Sequence, residues 1–236
     1  MRTKIKYLFL FAFSWFVSSI GIGSDFSYQF NEDLGKGEFE SLAKNLVTPL
    51  RFQFMPLVEK PLTFGAAYQQ SNLEDANQSL IQTKSSQSAP SSANSFALNA
   101  GSIPLGLTYA QLGYNGFHYW GFGFRSIIPA GGITLALQGG YTYLVGNEQF
   151  CAPSINGEFL AHFKIPFIKP FAGIGVSQHK ASYTPSGSLQ DHEYYWKDYY
   201  FLGGARLSLP GPLSFGAQIN ASNQNKSLSI VGMFSL

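Results

Sequence analysis

The sequence predicts a closed antiparallel transmembrane β-barrel of about ten strands, with a short N-terminal helix. From about residue 117 onward, apolar and polar residues alternate with a period of two, which is typical of strands that have one apolar face. Tight turns rich in proline and glycine alternate along the chain with polar connections, as they do in barrels that span a membrane. Aromatic residues make up 16% of the chain, charged residues only 12%, and the mean hydropathy is 0.00.

The composition separates this class from its alternatives. A soluble domain carries roughly 25% charged residues, and past residue 25 no run of about 18 apolar residues could span a bilayer as a helix. A secreted β-sandwich shares the periodicity but turns its apolar face inward, so periodicity alone leaves it open. Aromatic residues near strand ends favour the barrel, because interfacial girdles require them there. These aromatics are Tyr119, Trp120, Tyr141, Tyr143, Tyr194 to Trp196, Tyr199 and Tyr200.

Charge and cysteine content argue against a nucleic-acid-binding protein and against a fold held by disulfides or a thiolate cluster. The formal net charge is +2, and removing Arg2, Lys4 and Lys6 from the 15 basic residues leaves 12 against 13 acidic residues. With no basic stripe, the chain is not expected to bind nucleic acid. Cys151 is the single cysteine, so no intrachain disulfide or thiolate cluster is possible. It falls in a predicted polar loop and is interpreted as a bystander.

Residues 1–24 have the three-part pattern of a secretory signal peptide. Arg2, Lys4 and Lys6 form the basic region, Tyr7 to Val17 the apolar region, and Ser18 to Ser24 a stretch rich in small residues. The expected mature chain therefore begins near residue 25. An uncleaved N-terminal anchor is the alternative interpretation.

The segment 25–50 contains the single good helix pattern, over residues 31–47. Apolar residues recur there at helical spacing and Pro49 ends the pattern. The apolar face comprises Phe39, Leu42, Ala43, Leu46 and Val47. Two interpretations stay open: a helix that lies at the mouth of the barrel, or a plug that enters the lumen through Phe39, Leu42 and Leu46.

Residues 51–236 are predicted to form the barrel itself. An even strand number puts both ends of the barrel on the periplasmic side; eight strands remain the alternative. The expected strands lie near 62–70, 96–102, 105–114, 117–127, 133–145, 152–164, 170–184, 196–209, 212–221 and 226–236. Polar connections are expected at Gly146 to Ala152 and Ser222 to Lys226, and long mobile external loops at 71–95 and 185–195.

Two stretches resemble those of a known family. Ser227 to Leu236 resembles the closing β-signal of Gram-negative outer-membrane barrels, although Leu236 stands where an aromatic residue is usual. Lys169 to Val176 resembles the P-(Y/F)-x-G-(I/V)-G strand opening of small outer-membrane β-barrel proteins. The resemblance implies a bacterial outer-membrane location, contact with outer-membrane lipid, and recognition of Ser227 to Leu236 by the barrel assembly machinery. It transfers no catalytic residue.

Five ionisable residues fall on the polar faces of the predicted strands: Arg125, Glu158, His162, Asp198 and Arg206. Buried charges must be paired, so they predict a polar network inside the lumen. Glu158 and His162 lie four residues apart on one strand, roughly 13 Å, too far for direct contact. The other histidines, His118, His179 and His192, fall near predicted loop ends and are expected to be solvated. No metal site and no cofactor are predicted.

The function that follows is a structural or surface-interaction barrel with a mostly filled lumen. The alternative is a porin-like channel or transporter for small or hydrophobic solutes, with an N-terminal plug. A lipid-modifying enzyme would require a compact cluster of serine, histidine and carboxylate, which the sequence does not indicate. The oligomeric state stays open.

Overall fold

The computed structural model describes residues 28–30, 36–48, 63–71, 81–83, 92–99, 109–110, 118–147, 150–184, 191–223 and 226–235. These residues form one helix and twelve strands. In chain order they are β1 (Tyr28–Phe30), α1 (Lys36–Val47), β2 (Thr63–Ser71), β3 (Ile81–Thr83), β4 (Ser92–Asn99), β5 (Tyr109–Ala110), β6 (His118–Ala130), β7 (Ile133–Asn147), β8 (Phe150–Phe163), β9 (Ile168–Tyr183), β10 (His192–Ser208), β11 (Leu213–Ser222) and β12 (Lys226–Ser235).

Ten of these strands form one antiparallel sheet, in the order β5-β4-β2-β12-β11-β10-β9-β8-β7-β6. Strands β6 to β12 pair in chain order, so each is joined to the next by a hairpin. β1 and β3 form a separate pair. The end strands β5 and β6 lie beside each other, but no hydrogen-bonded ladder joins them among the described residues. The all-β antiparallel architecture is confirmed, whereas closure of the sheet stays a prediction.

The two faces of the sheet differ in exposure and in polarity. Large apolar side chains occupy the exposed face, and the ionisable and amide side chains lie on the buried face. Exposed examples are Phe122, Phe124, Ile155, Phe159, Ile174, Phe201, Ile219 and Ile230. Buried examples are Arg125, Gln138, Glu158, His162, Asp198, Arg206, Gln218 and Asn220. A soluble sandwich has the opposite arrangement, because it buries its apolar face, so the sandwich interpretation is wrong.

Three tight turns lie at one edge of the sheet, as the sequence predicts. They join β6 to β7, β8 to β9 and β10 to β11. Gly131 and Gly211 adopt positive φ angles of 61° and 104°, which glycine tolerates because it has no Cβ. The backbone N–H of Ser208 donates a 2.8 Å hydrogen bond to the carbonyl of Phe167, linking two of these turns.

At the opposite edge the strands are longer than the sequence predicts. β7 ends at Asn147 and β8 begins at Phe150, so Cys151 is a strand residue opposite Val145 and Ser182, not a loop residue. Hydropathy underestimates these strands, because backbone pairing continues where the side chains become polar.

Both predicted long loops contain strand residues. Strand β10 begins at His192, inside the loop predicted at 185–195, and β3 and the start of β4 lie inside the loop predicted at 71–95. The predicted strand 105–114 is represented by β5 alone. The rest of these three ranges lies outside the described residues, apart from Asp191 and the residues in strands.

The N-terminal segment is described in part. Its helix spans Lys36–Val47, within the predicted range 31–47, and in the described part of the chain no helix is long and apolar enough to cross a membrane. The predicted signal peptide (1–24) and Leu236 lie outside the described residues.

Candidate functional site in the polar interior

One row of residues crosses five strands on the buried face. Its members are direct partners on successive strands from β6 to β10: Arg125, Gln138, Glu158, Gly175 and Tyr200. Directly opposite residues on one face have Cβ atoms roughly 4.5–5.5 Å apart. This set, called the central row below, therefore places polar groups within hydrogen-bonding reach of one another.

The carboxylate of Glu158 is the centre of this row. Gln138 donates to its Oε2 through Nε2. The hydroxyl of Tyr200 donates to its Oε1 at 2.7 Å, and Nδ2 of Asn156 approaches the same oxygen at 3.3 Å. Gln138 in turn accepts a 2.7 Å hydrogen bond from Nε of Arg125. Both carboxylate oxygens are thus satisfied, and the guanidinium is connected to the carboxylate through the Gln138 amide.

Gly175 makes room for the Tyr200 ring to reach across a strand. Tyr200 is on β10 and Glu158 is on β8, with Gly175 between them on β9. A Cβ atom at Gly175 would lie 2.4 Å from the ζ carbon of the Tyr200 ring, which is far inside van der Waals contact. Position 175 therefore requires glycine, because the Tyr200 ring crosses β9 there.

Beside the central row, the interior is filled by apolar packing. Leu160, Phe171 and Leu202 belong to one buried cluster with Tyr200. The His162 ring stacks on Phe171 with centroids 5.2 Å apart. Its Nε2 has no hydrogen-bond partner among the described residues.

All five ionisable residues named from the sequence lie buried on this one face. The structure brings Arg125 and Glu158 together in the central row. Asp198 lies opposite Ser177, and Arg206 lies opposite Lys169 nearer the tight turns. They are therefore spread along the interior rather than gathered in one catalytic cluster.

His179 was expected to be solvated, and that prediction is wrong. It is buried on the inward face of β9. Its Nδ1 is 2.7 Å from Oγ of Ser154, and its Nε2 is 3.0 Å from Oγ of Ser177. The ring stacks on Trp196 with centroids 4.9 Å apart. The alternation along β9 could have identified it, because His179 has the same parity as Ser177 and Gly175.

The aromatic residues of β10 divide between the two faces. Tyr199 is 71% exposed, as a girdle residue would be, but Tyr200 is only 3% exposed. Trp196 is also buried. Neither of these two residues belongs to an outward girdle, which corrects the expectation from the sequence.

Helix α1 packs on the same inward face, at the edge opposite the tight turns. Phe39, Ala43 and Val47 form its buried side. The Phe39 ring lies 6.5 Å from Phe150 and 5.8 Å from Tyr183, between centroids. The side chains of Leu42 and Leu46, named with Phe39 as a plug face, lie outside the described residues.

Two polar contacts complete this packing. Nε1 of Trp196 donates a 3.3 Å hydrogen bond to Oγ1 of Thr48. Nζ of Lys44 lies 5.2 Å from the centre of the Tyr194 ring, a cation–π distance. The helix therefore covers the interior above His179 and Trp196.

Comparison with family models gives no match, and comparison with curated proteins gives none. Solved structures that are similar include Neisserial surface protein A (17% identity, 74% of this chain and 96% of that chain, TM-score 0.34). Ail of Yersinia pestis in a phospholipid bilayer nanodisc has 12% identity, covering 75% and 99%, with a TM-score of 0.37. The outer membrane enzyme PagL has 15% identity, covering 74% and 99%, with a TM-score of 0.32. These similar structures are outer-membrane β-barrel proteins of Gram-negative bacteria.

Removing the Tyr200 hydroxyl is expected to destabilise the fold. In Tyr200→Phe the buried carboxylate of Glu158 loses a charge-assisted hydrogen bond, at a cost of about 1.5–3 kcal/mol in the free energy of unfolding. Urea unfolding in detergent measures this loss. The matched control is Tyr199→Phe, whose hydroxyl is on the exposed face, and equal effects of the two substitutions would contradict the role of the central row.

The crossing of Tyr200 over Gly175 is tested by a double-mutant cycle. Gly175→Ala places a methyl group where the Tyr200 ring lies, and the resulting clash is expected to be strongly destabilising. The same substitution should destabilise the protein much less when Tyr200 is already Ala. The expected coupling between the two sites is about 1–3 kcal/mol. Gly157→Ala is the control, because a Cβ there meets nothing within 4 Å. Strict additivity of Gly175→Ala and Tyr200→Ala would refute the crossing.

Proposed function

We propose that this chain is an outer-membrane β-barrel protein with a structural or surface-interaction role and a mostly filled lumen. The observation that carries the proposal is the central row, in which polar side chains on β6, β7, β8 and β10 are hydrogen-bonded to one another across the inward face. Such a network rigidifies an interior and obstructs it. The polar loops are then the part of the protein that is available to bind partners.

The exposed face supports the membrane location. On β9 the outward residues run from Ile168 through Ile174 to Val176, a span of eight residue steps, or about 26 Å at strand rise. Because barrel strands are tilted by about 35–45°, this span corresponds to roughly 20 Å of membrane depth, which is most of an apolar band about 25 Å tall. The next outward residues are Gln178 and Lys180, so the apolar band stops where a lipid headgroup region would begin.

Closure between β5 and β6 would complete a ten-stranded barrel. A sheet inside lipid cannot leave an edge unpaired, because its backbone groups would find no water. Export through residues 1–24 and insertion through Ser227 to Leu236 belong to the same proposal. β12 presents Leu228 and Ile230 outward, as a closing strand in contact with lipid would.

The plugged channel is the second candidate. It is favoured by helix α1 and the residue that follows it, which contact inward residues through Phe39, Lys44 and Thr48. The strand pairing of the sheet does not include this helix, so the helix could leave while the sheet stayed intact. The central row would still obstruct the lumen after its departure, so we favour the filled barrel.

An enzyme is not proposed. In the described part of the chain, His179 contacts Ser154 and Ser177, and all three residues are buried. Both ring nitrogens contact serine hydroxyls. A lipid substrate cannot reach a nucleophile that is buried in a packed interior.

Conductance of the chain in planar bilayers separates the two candidates. We expect no stable conductance from the chain lacking residues 1–24, and none after further removal of residues 25–48, because the central row remains. The deletion should only lower the temperature of the heat-dependent shift in gel mobility, more than Phe39→Ala does. Stepwise conductance that appears with the deletion alone would establish the plugged channel instead.

A further inference from the structure

The outward face of β6 to β10 has a groove of about 700 Å³. Its lining is mainly apolar and includes Phe122, Phe124, Leu137, Tyr141, Ile155 and Val176. Lys197 and Gln178 also line it. The groove thus combines mainly apolar walls with the cationic side chain of Lys197 and the amide side chain of Gln178.

Glycines create the floor of this groove. Gly139 on β7 and Gly157 on β8 are direct partners on the outward face. The Phe124 ring folds over Gly139, since a Cβ there would lie 2.8 Å from its ζ carbon, whereas a Cβ on Gly157 would meet nothing within 4 Å. The open part of the floor therefore lies at Gly157, between Phe124 and Val176.

The groove runs from the polar edge of the outward face into the apolar band. Gln178 and Lys197 are direct partners, and the next outward pair toward the tight turns is Val176 with Tyr199. Gln178 and Lys197 lie beyond the apolar band, on the side away from the tight turns. Val176 and Tyr199 lie at the border of the band on that side. A molecule lying in the groove would have one polar end and one apolar end.

Lys197 differs from its neighbour Lys180 in its partners. Lys180 forms an ion pair with Glu193, and Glu193 also accepts a 2.9 Å hydrogen bond from the Tyr195 hydroxyl. Within the described part of the chain, Lys197 is exposed and has no ion pair. Its ammonium group is available to an external anion.

We propose that this groove binds an anionic glycerophospholipid, with the phosphate on Lys197 and Gln178 and an acyl chain on the Gly157 floor. In the described lining of this groove Lys197 is the single cation, which matches a lipid with a single phosphate. A lysine ammonium forms charge-assisted hydrogen bonds with phosphate. The apolar walls of the groove fit an acyl chain better than they fit a soluble phosphate-containing ligand. The proposal rests on the proposed function, since it requires the outward face to lie in a membrane.

Native mass spectrometry of the chain lacking residues 1–24, released from detergent, tests this site. Phosphatidylglycerol and phosphatidylcholine with identical acyl chains are the two probes. We expect tighter binding of phosphatidylglycerol, by about five- to tenfold. Lys197→Gln should abolish this preference, while the matched control Lys180→Gln should leave it within about twofold, because Lys180 is already paired.

Filling the floor provides an independent variant. Gly157→Leu should weaken binding of both lipids, whereas Gly203→Leu, an outward glycine outside the groove, should not. Heat-modifiable gel mobility of each variant verifies that it is folded before binding is measured.

The possible failures are distinguishable. A folded barrel that binds both lipids equally, or that keeps its preference in Lys197→Gln, overturns the groove and leaves the proposed function standing. A chain that dissolves in plain buffer and shows no heat-dependent mobility overturns both.

Discussion

A buried carboxylate is the constraint on which the rest of this structure depends. Removing Glu158 from water without compensation would cost several kcal/mol, so its two oxygens must be met by donors. Gln138, Asn156 and Tyr200 supply them. These donors stand on three different strands, so satisfying one charge fixes the relative register of β7, β8 and β10. A slip of one residue would turn every partner to the other face.

The same constraint explains why the faces are inverted relative to a soluble sheet. A polar network needs a dry, enclosed volume in which hydrogen bonds are strong, and the apolar outward face fits the lipid contact that we propose. Glycine connects these two requirements. On the inward side, Gly175 lets Tyr200 reach Glu158, and on the outward side, Gly157 leaves a groove open.

Sequence alone could predict the antiparallel architecture and which face each strand residue occupies, because a period of two encodes both. The alternation places Arg125, Gln138 and Glu158 on polar faces, but it does not show that the Gln138 amide connects the other two side chains. Periodicity gives the face of a residue and not its partner, which depends on register between strands far apart in the chain. Strand ends were misjudged for a related reason. His179 and Tyr200 lie where hydropathy indicates a loop end and an interface, while backbone pairing carries the strand and its alternation further.

The most direct test of the account is the environment of neighbouring residues on one strand in a lipid bilayer. Ile219 is 58% exposed and Gln218 is 8% exposed. Spin labels are attached to single cysteines at these two positions in a Cys151→Ser background. We expect the label at Ile219 to be accessible to oxygen dissolved in the lipid, and the label at Gln218 to be shielded from it. The reverse pattern, or equal accessibility to a water-soluble reagent, would contradict an apolar face toward lipid and a filled polar interior.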